Sequence, residues 1–84
     1  MEQKIVPEKN NIIGKNLRRL RIKQKFTQEK LVAQLQLKGL KMTRGSYAKI
    51  EAGLQNIRVS ELTALRDALN TTFDELLNNM EKYQ

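Results

Sequence analysis

The chain has 84 residues, enough for one compact domain and too few for two. It has no cysteine and no histidine, which excludes disulfides, zinc fingers, thiol nucleophiles and imidazole general bases. The formal net charge is +7, with 14 basic and 4 acidic residues in 1–58 but 2 basic and 5 acidic residues in 59–84. This asymmetry favours one surface that binds a polyanion and another that stays away from it, the alternative being a basic surface that only aids solubility.

The N-terminal segment 1–11 is polar, contains Pro7 and has no apolar stretch long enough for a signal peptide or a membrane span. We interpret it as an extended or disordered arm, with Asn10 and Asn11 available to cap the following helix. We expect a cytoplasmic protein that makes no membrane contact.

The first helix is predicted from about Ile12 to Lys25, because Ile13, Leu17 and Leu20 recur at helical spacing and form one apolar stripe. Arg21 falls at the edge of this stripe, where a guanidinium group needs a partner. An arginine on the surface with no fixed partner is the alternative.

The second helix is predicted to begin after an N-cap at Thr27 and to place Leu31 and Leu35 inward, with Val32 beside them. The segment 36–41 then breaks the helical pattern, and Gly39 is the expected turn residue.

The third helix is predicted from about Arg44 to Ala52, between a cap at Thr43 and Gly53. Met42 and Tyr47 have the spacing of a hydrophobic staple, and Tyr47 and Ile50 point inward. The opposite face is small and cationic, comprising Gly45, Ala48, Lys49 and Ala52, flanked by Arg44 and Ser46. Such a face can sit deep in a DNA major groove, which is about 12 Å wide and admits one helix. A solvated helix and a protein interface are the alternatives.

Two more helices complete the chain. Ser60 is the predicted cap of the fourth, whose inward residues are leucines at 62, 65 and 69. Thr72 and Glu75 have the spacing of a capping box that opens a fifth helix reaching Met80. The sequence therefore predicts an all-α, five-helix orthogonal bundle over residues 12–80, followed by a tail at 81–84.

Residues 13–77 resemble the Cro/phage-repressor helix-turn-helix family, also called the xenobiotic-response-element type. The resemblance rests on IGKNLRRLR at 13–21, FTQEKL at 26–31, MTRGSYAKIEAG at 42–53 and LNTTFDELL at 69–77. It implies a lambda-repressor-like fold and a transcriptional regulator, most simply a repressor, that binds double-stranded DNA and has no enzymatic activity and no cofactor.

The resemblance also implies roles for individual residues. In this family an arginine of the first helix pairs with the glutamate that closes the recognition helix, here Arg21 and Glu51. The base-reading positions correspond to Arg44, Gly45, Ser46, Ala48 and Lys49. Arg44 could bind guanine O6 and N7 together, a contact worth about 1–3 kcal/mol of discrimination. We expect phosphate contacts from Gln28, Lys38, Lys41, Thr43, Gln55, Asn56 and Arg58.

Three features depart from the family pattern. The connection at 37–41 is longer than the usual tight turn by roughly four residues. Val32 and Arg66 replace residues that are commonly small. In the arm, Lys4 and Lys9 could reach a minor groove, although a terminus that contributes nothing is the simpler expectation.

Useful specificity requires two modules, so we expect a homodimer on a palindromic operator with half-sites about 34–36 Å apart. The acidic C-terminal segment, with Leu76, Leu77, Met80 and Tyr83, is the expected dimer surface. The alternative function is a protein-interaction module or antitoxin-type regulator that acts mainly on a partner protein through its C-terminal helices.

Overall fold

A computed structural model describes residues 9–78, and in this part of the chain all regular structure is helical. The five helices are α1 (Asn10–Lys23), α2 (Gln28–Leu37), α3 (Arg44–Glu51), α4 (Val59–Ala68) and α5 (Phe73–Leu77). The predicted all-α, five-helix architecture is confirmed. Lys4, Met80 and Tyr83 lie outside the described residues.

A single hydrophobic core is built from one apolar stripe of each helix. The buried residues are Ile13, Leu17 and Leu20 of α1, Leu31, Val32 and Leu35 of α2, Tyr47 and Ile50 of α3, Leu62 and Leu65 of α4, Leu76 of α5, and Met42, Ile57 and Leu69 of the connections. Met42 and Tyr47, the predicted staple, are both in this core. α1 packs against both α3 and α5, so it joins the third helix to the last.

Three threonines cap helices as predicted. The hydroxyl oxygens of Thr27, Thr43 and Thr72 accept hydrogen bonds from backbone N–H groups three residues later, at 3.0, 3.1 and 3.1 Å. Each bond satisfies one of the N–H groups that a helix leaves unpaired in its first turn. The start of α3, which carries the base-reading candidates, is therefore fixed locally.

The predicted starts of α1 and α4 were wrong. α1 begins at Asn10, so Asn10 and Asn11 belong to the helix, and its N-cap is Lys9, which makes no side-chain cap bond. α4 begins at Val59, and the backbone N–H of its N-cap Arg58 donates to Glu61 Oε1 at 2.8 Å. The Glu61 carboxylate thus supports an earlier start, and Ser60 lies within the first turn.

Four helices are terminated by a residue with left-handed backbone, which lies two positions after the last helical residue. Gly39 and Gly53 do so as predicted, with φ of 93° and 79°, and Lys25 and Asn70 do so with 62° and 50°. At each end two backbone N–H groups bond back to carbonyls of the last turn. The left-handed Lys25 explains why α1 ends at Lys23 and not at Lys25.

Candidate nucleic-acid interface

The third helix has one buried and one exposed face. Tyr47, Ile50 and Glu51 are buried, whereas Arg44 and Lys49 are exposed. The buried three lie within about 100° of one another around the helix, so they form a single packed face. Gly45 and Lys49 lie on the opposite side of the helix, Ser46 and Ala48 lie between the two sides, and Arg44 is exposed because it is the first residue of α3.

The base-reading candidates differ in exposure along this face. Arg44, Gly45 and Lys49 are exposed, and Ser46 and Ala48 are half-buried. A Cβ atom built at Gly45 would meet no other atom within 4 Å, so nothing in the fold requires glycine at that position. The face combines two long cations with short side chains, and its centre is open to a bulky ligand.

The C-terminal end of α3 is held by the ion pair that the resemblance implies. Arg21 Nε donates to Glu51 Oε2 and Arg21 Nη2 donates to Glu51 Oε1, both at 2.9 Å. The third nitrogen, Nη1, donates to the Phe26 carbonyl at 2.8 Å. The two side chains are only 12% and 5% exposed, so the pair is shielded from water. It links α1, the α1–α2 connection and α3 through one guanidinium group.

The surroundings of Glu51 shift the pKa values of both partners. Burial alone would raise the pKa of the Glu51 carboxyl, but the hydrogen bonds and the positive charge of Arg21 lower it below its ordinary value of 4.5. The hydrogen bond to Glu51 raises the pKa of Arg21. Burial also raises the pKa of the neighbouring Tyr47 phenol. Glu51 and Arg21 are therefore both charged at neutral pH, and Tyr47 is neutral.

Gly14 allows α1 to approach the same end of α3 closely. A Cβ atom at this position would lie 2.9 Å from the Ile50 carbonyl oxygen and from the Glu51 carbonyl carbon, and closer still to the Glu51 carbonyl oxygen. Backbone atoms cannot move aside as a flexible side chain can. Sequence reasoning assigned Gly14 no role, although a glycine inside a helix often has a packing reason.

The predicted phosphate-binding residues precede and follow α3 in the chain. Gln28 is the first residue of α2 and is half-buried, and Lys38, Lys41 and Thr43 are exposed in the 38–43 connection. Leu37, at the end of α2, is 88% exposed. Thr43 Oγ1 accepts the cap bond from the Ser46 N–H, and its hydroxyl proton can still be donated to an external acceptor such as a phosphate.

After α3 in the chain, two of the three candidates make hydrogen bonds within the protein. Gln55 Nε2 donates to Ser46 Oγ at 2.6 Å, and Asn56 Oδ1 accepts from Asn10 Nδ2 at 2.7 Å. Arg58 is exposed. Sequence reasoning missed both bonds, because they join residues 9 and 46 positions apart and no helical spacing signals them.

The C-terminal helices are tied into the bundle, and this corrects one expectation. Leu76 is fully buried in the core, so it cannot line a dimer surface. Asn16, buried on α1, donates from Nδ2 to the carbonyls of Leu76 and Asn78, both at 2.9 Å. Leu77 is half-buried against the core.

Two residues outside the α3 face also have defined contacts. The guanidinium of Arg66 lies 4.4 Å from the centroid of the Phe73 ring and pairs with Asp67 at 3.0 Å. This contact accommodates the arginine that replaces a commonly small residue. Lys9 Nζ donates to the Leu77 carbonyl at 3.4 Å, so this arm lysine is directed toward α5.

The charges separate in the fold as they do along the chain. Residues 38–58, which contain α3 and its flanking connections, carry five cations and one acid, and that acid is the paired Glu51. Residues 59–78 carry four acids and one cation. Residues 9–37, with eight cations and one acid, are also strongly basic, so positive charge extends over the α1 and α3 regions, whereas the α4 and α5 region is net acidic.

Two other kinds of site were sought among the described residues. No helix of this region is long and apolar enough to cross a membrane. Within 9–78, no group of three or more acidic, histidine or cysteine side chains is placed to hold a metal ion.

Comparison with protein families gave one match, to a family model described as helix-turn-helix, over residues 17–76. The matched region runs from Leu17 in α1 to Leu76 in α5. Comparison with curated proteins and with solved structures gave no match.

Proposed function

Because the chain belongs to the Cro/C1-type helix-turn-helix family, a fold of DNA-binding regulators and not an enzyme class, we propose that it is a sequence-specific transcriptional repressor. In this proposal α3 enters the major groove of double-stranded DNA. The observation that carries the proposal is the exposed face of α3, which is cationic at two positions and otherwise short, within a segment, 38–58, that carries five cations and one acid.

Base reading is assigned to the exposed α3 face. Arg44, the first residue of α3, extends from the helix start and has the length and shape to bind guanine O6 and N7 together. Lys49 lies more than one turn further along and reaches guanine or a phosphate. Gly45 and Ala48 contribute by their small size, since a larger side chain would hold the helix away from the base edges.

Phosphate contacts are assigned to residues on both sides of this helix. The start of α2 at Gln28 offers backbone N–H groups and the positive end of the helix dipole to one phosphate. Lys38, Lys41 and Arg58 supply exposed cations, and Thr43 supplies a hydroxyl proton. Contacts of this kind hold the protein on the duplex without reading sequence.

We assign a homodimer on a palindromic operator to this function. A single module buries only about 600–1,000 Å² on DNA, which seldom gives useful affinity and specificity by itself. Two copies would read half-sites about 34–36 Å apart. Since Leu76 belongs to the core, the exposed Phe73 is the apolar side chain that the described part of α5 offers to a second copy. Light scattering of the protein alone and with DNA tests this assignment, and a monomer in both samples would exclude it.

The direct test is a selection of bound sequences from a random DNA pool, with wild type, Arg44→Ala and Arg18→Ala. Arg18 is an exposed arginine on α1, so the control removes the same charge outside α3. We expect an enriched palindromic motif that becomes degenerate at one position per half-site only in Arg44→Ala. If no motif is enriched and binding simply weakens with salt, the charge is nonspecific. The partner-protein function would then take precedence.

A further inference from the structure

The connection after α3 folds back along that helix and contacts it through one side chain. Gly53 has a φ of 79°, and the Leu54 N–H donates to the Lys49 carbonyl at 2.8 Å, which reverses the chain. Gln55 then donates from Nε2 to Ser46 Oγ at 2.6 Å. A residue outside α3 is thus held against the third residue of α3.

This bond biases the hydrogen-bonding group that Ser46 offers to a ligand. A side-chain amide nitrogen only donates, whereas a serine hydroxyl has one proton and two acceptor lone pairs. Because one lone pair of Ser46 Oγ accepts from Gln55, the proton and one lone pair are left, whereas without the bond the proton and both lone pairs are. The bond therefore favours donation from Ser46 to a DNA acceptor.

The usual local use for that proton does not apply at this position. A serine inside a helix often donates to the carbonyl four residues earlier. For Ser46 that carbonyl belongs to Met42, which precedes the N-cap Thr43 and lies outside the helix, and it accepts a hydrogen bond from Gln36 Nε2 at 2.8 Å. Ser46 is therefore too near the start of α3 to use the bond that a mid-helix serine makes.

Ser46 lies at the edge of the exposed α3 face, about 60° around the helix from Lys49. In the major groove, guanine N7 and O6 and thymine O4 are acceptors, whereas cytosine N4 and adenine N6 are donors. We propose that Gln55 is a positioning residue that favours donation from Ser46, so that Ser46 prefers guanine or thymine over the amino groups of cytosine and adenine. The proposal rests on the proposed function, in which α3 enters the major groove.

The Gln55→Glu variant reverses the polarity of this contact. A carboxylate only accepts, so the Ser46 proton would turn toward it and a lone pair would be left for the DNA. The matched control is Asn56→Asp, which adds the same charge one residue further on and retains the acceptor oxygen for Asn10. Ser46→Ala identifies the operator position that Ser46 reads, and Gln55→Ala removes the positioning bond without adding charge.

The experiment is the selection from a random DNA pool, carried out with wild type and these four variants after their melting temperatures have been compared. At one position per half-site we expect wild type to prefer guanine or thymine by about 2- to 10-fold, the range of one hydrogen bond. We expect Ser46→Ala and Gln55→Ala to flatten this preference, Gln55→Glu to shift it to cytosine or adenine, and Asn56→Asp to leave it unchanged.

The failures of the two proposals are distinguishable. An enriched wild-type motif with no position that responds to Ser46→Ala overturns the role of Ser46 and leaves the proposed function standing. A Gln55→Glu variant that loses affinity evenly, as Asn56→Asp does, overturns the positioning role and makes Gln55 a phosphate contact. A wild type that enriches no motif overturns both proposals.

Discussion

The two ends of α3 are held in different ways. At the C-terminal end, Glu51 is paired with Arg21 and its backbone lies directly against Gly14, so the helix is fixed to α1 by charge and by steric fit. At the N-terminal end, the exposed Arg44 and Gly45 follow a connection whose Met42 is buried in the core but whose Lys38, Lys41 and Thr43 are exposed, and the helix start is held by the Thr43 cap and the Gln55 bond. The first turn of α3, which carries Arg44, is thus less closely packed than the last turn, which carries Lys49.

This difference indicates how the fold separates stability from recognition. Residues that fix the angle of α3 are buried and contact backbone, so almost any substitution there disturbs the fold. Residues on the exposed side contact little, so they can change with the DNA sequence to be read. The contrast predicts that substitutions at the C-terminal end change stability and that substitutions at the N-terminal end change DNA binding.

The largest effect is expected from Arg21→Ala. Removing one partner of a buried ion pair leaves the other charge unpaired, which costs about 3–5 kcal/mol. Urea unfolding would measure the loss, with Arg18→Ala as the control, since an exposed arginine is worth no more than about 0.5 kcal/mol. Equal unfolding midpoints for the two variants would mean that the pair does not hold α3.

Glycine-to-alanine substitutions compare the two ends of α3, because Gly14 of α1 lies against its C-terminal end and Gly45 is in its first turn. Gly14→Ala places a Cβ against the α3 backbone and should cost about 1–3 kcal/mol or more, as expected of an overpacked core. Gly45→Ala meets nothing and should gain up to about 1 kcal/mol, because alanine is the better helix former. Thermal unfolding of both variants checks this, and a loss of stability in Gly45→Ala would show that the N-terminal end is as constrained as the other.

Much of the fold could be predicted because its signals are local. The spacing of Leu17 and Leu20, or the three-residue reach of the Thr27 and Thr43 caps, is contained within a single turn of helix. The prediction of Ser60 as the cap of α4 also rested on a local signal, and it was wrong. Glu61 supports a start two residues earlier, and sequence alone does not rank two nearby caps. Boundaries were accordingly less accurate than the presence of the helices.

The site could be predicted only in part. Helical spacing identified the exposed face of α3, and the resemblance supplied the partner of Arg21. The bond from Gln55 to Ser46 depends on how the chain turns after Gly53, and no residue pattern encodes that path. The burial of Leu76 likewise depends on how α5 docks on α1, so an apolar residue near an acidic tail was wrongly expected at an interface.

A smaller effect is expected on acidification, again at the C-terminal end. Because the folded-state pKa of Glu51 is below 4.5, the stabilisation from the charged carboxylate is complete above the unfolded-state value and is lost as the pH falls through the folded-state pKa. Comparing wild type with Glu51→Gln by urea unfolding from pH 7 to pH 3 isolates this contribution. The difference between the two should shrink below about pH 4.5, and a constant difference would mean that the charge of Glu51 contributes nothing.

The smallest effect is expected from Lys41→Ala, which asks whether the connection before α3 contacts DNA. Each phosphate contact contributes about 0.9 to the slope of log affinity against log salt, so losing one should lower the slope by that amount and weaken binding only a few-fold near physiological salt. Stability should not change, because Lys41 is exposed. Lys23→Ala on α1 is the control with the same charge removed. If the two variants have the same slope as wild type, Lys41 does not contact the duplex. The first turn of α3 would then depend on the other contacts assigned near it, Lys38, Thr43 and Arg44, for its position in the groove.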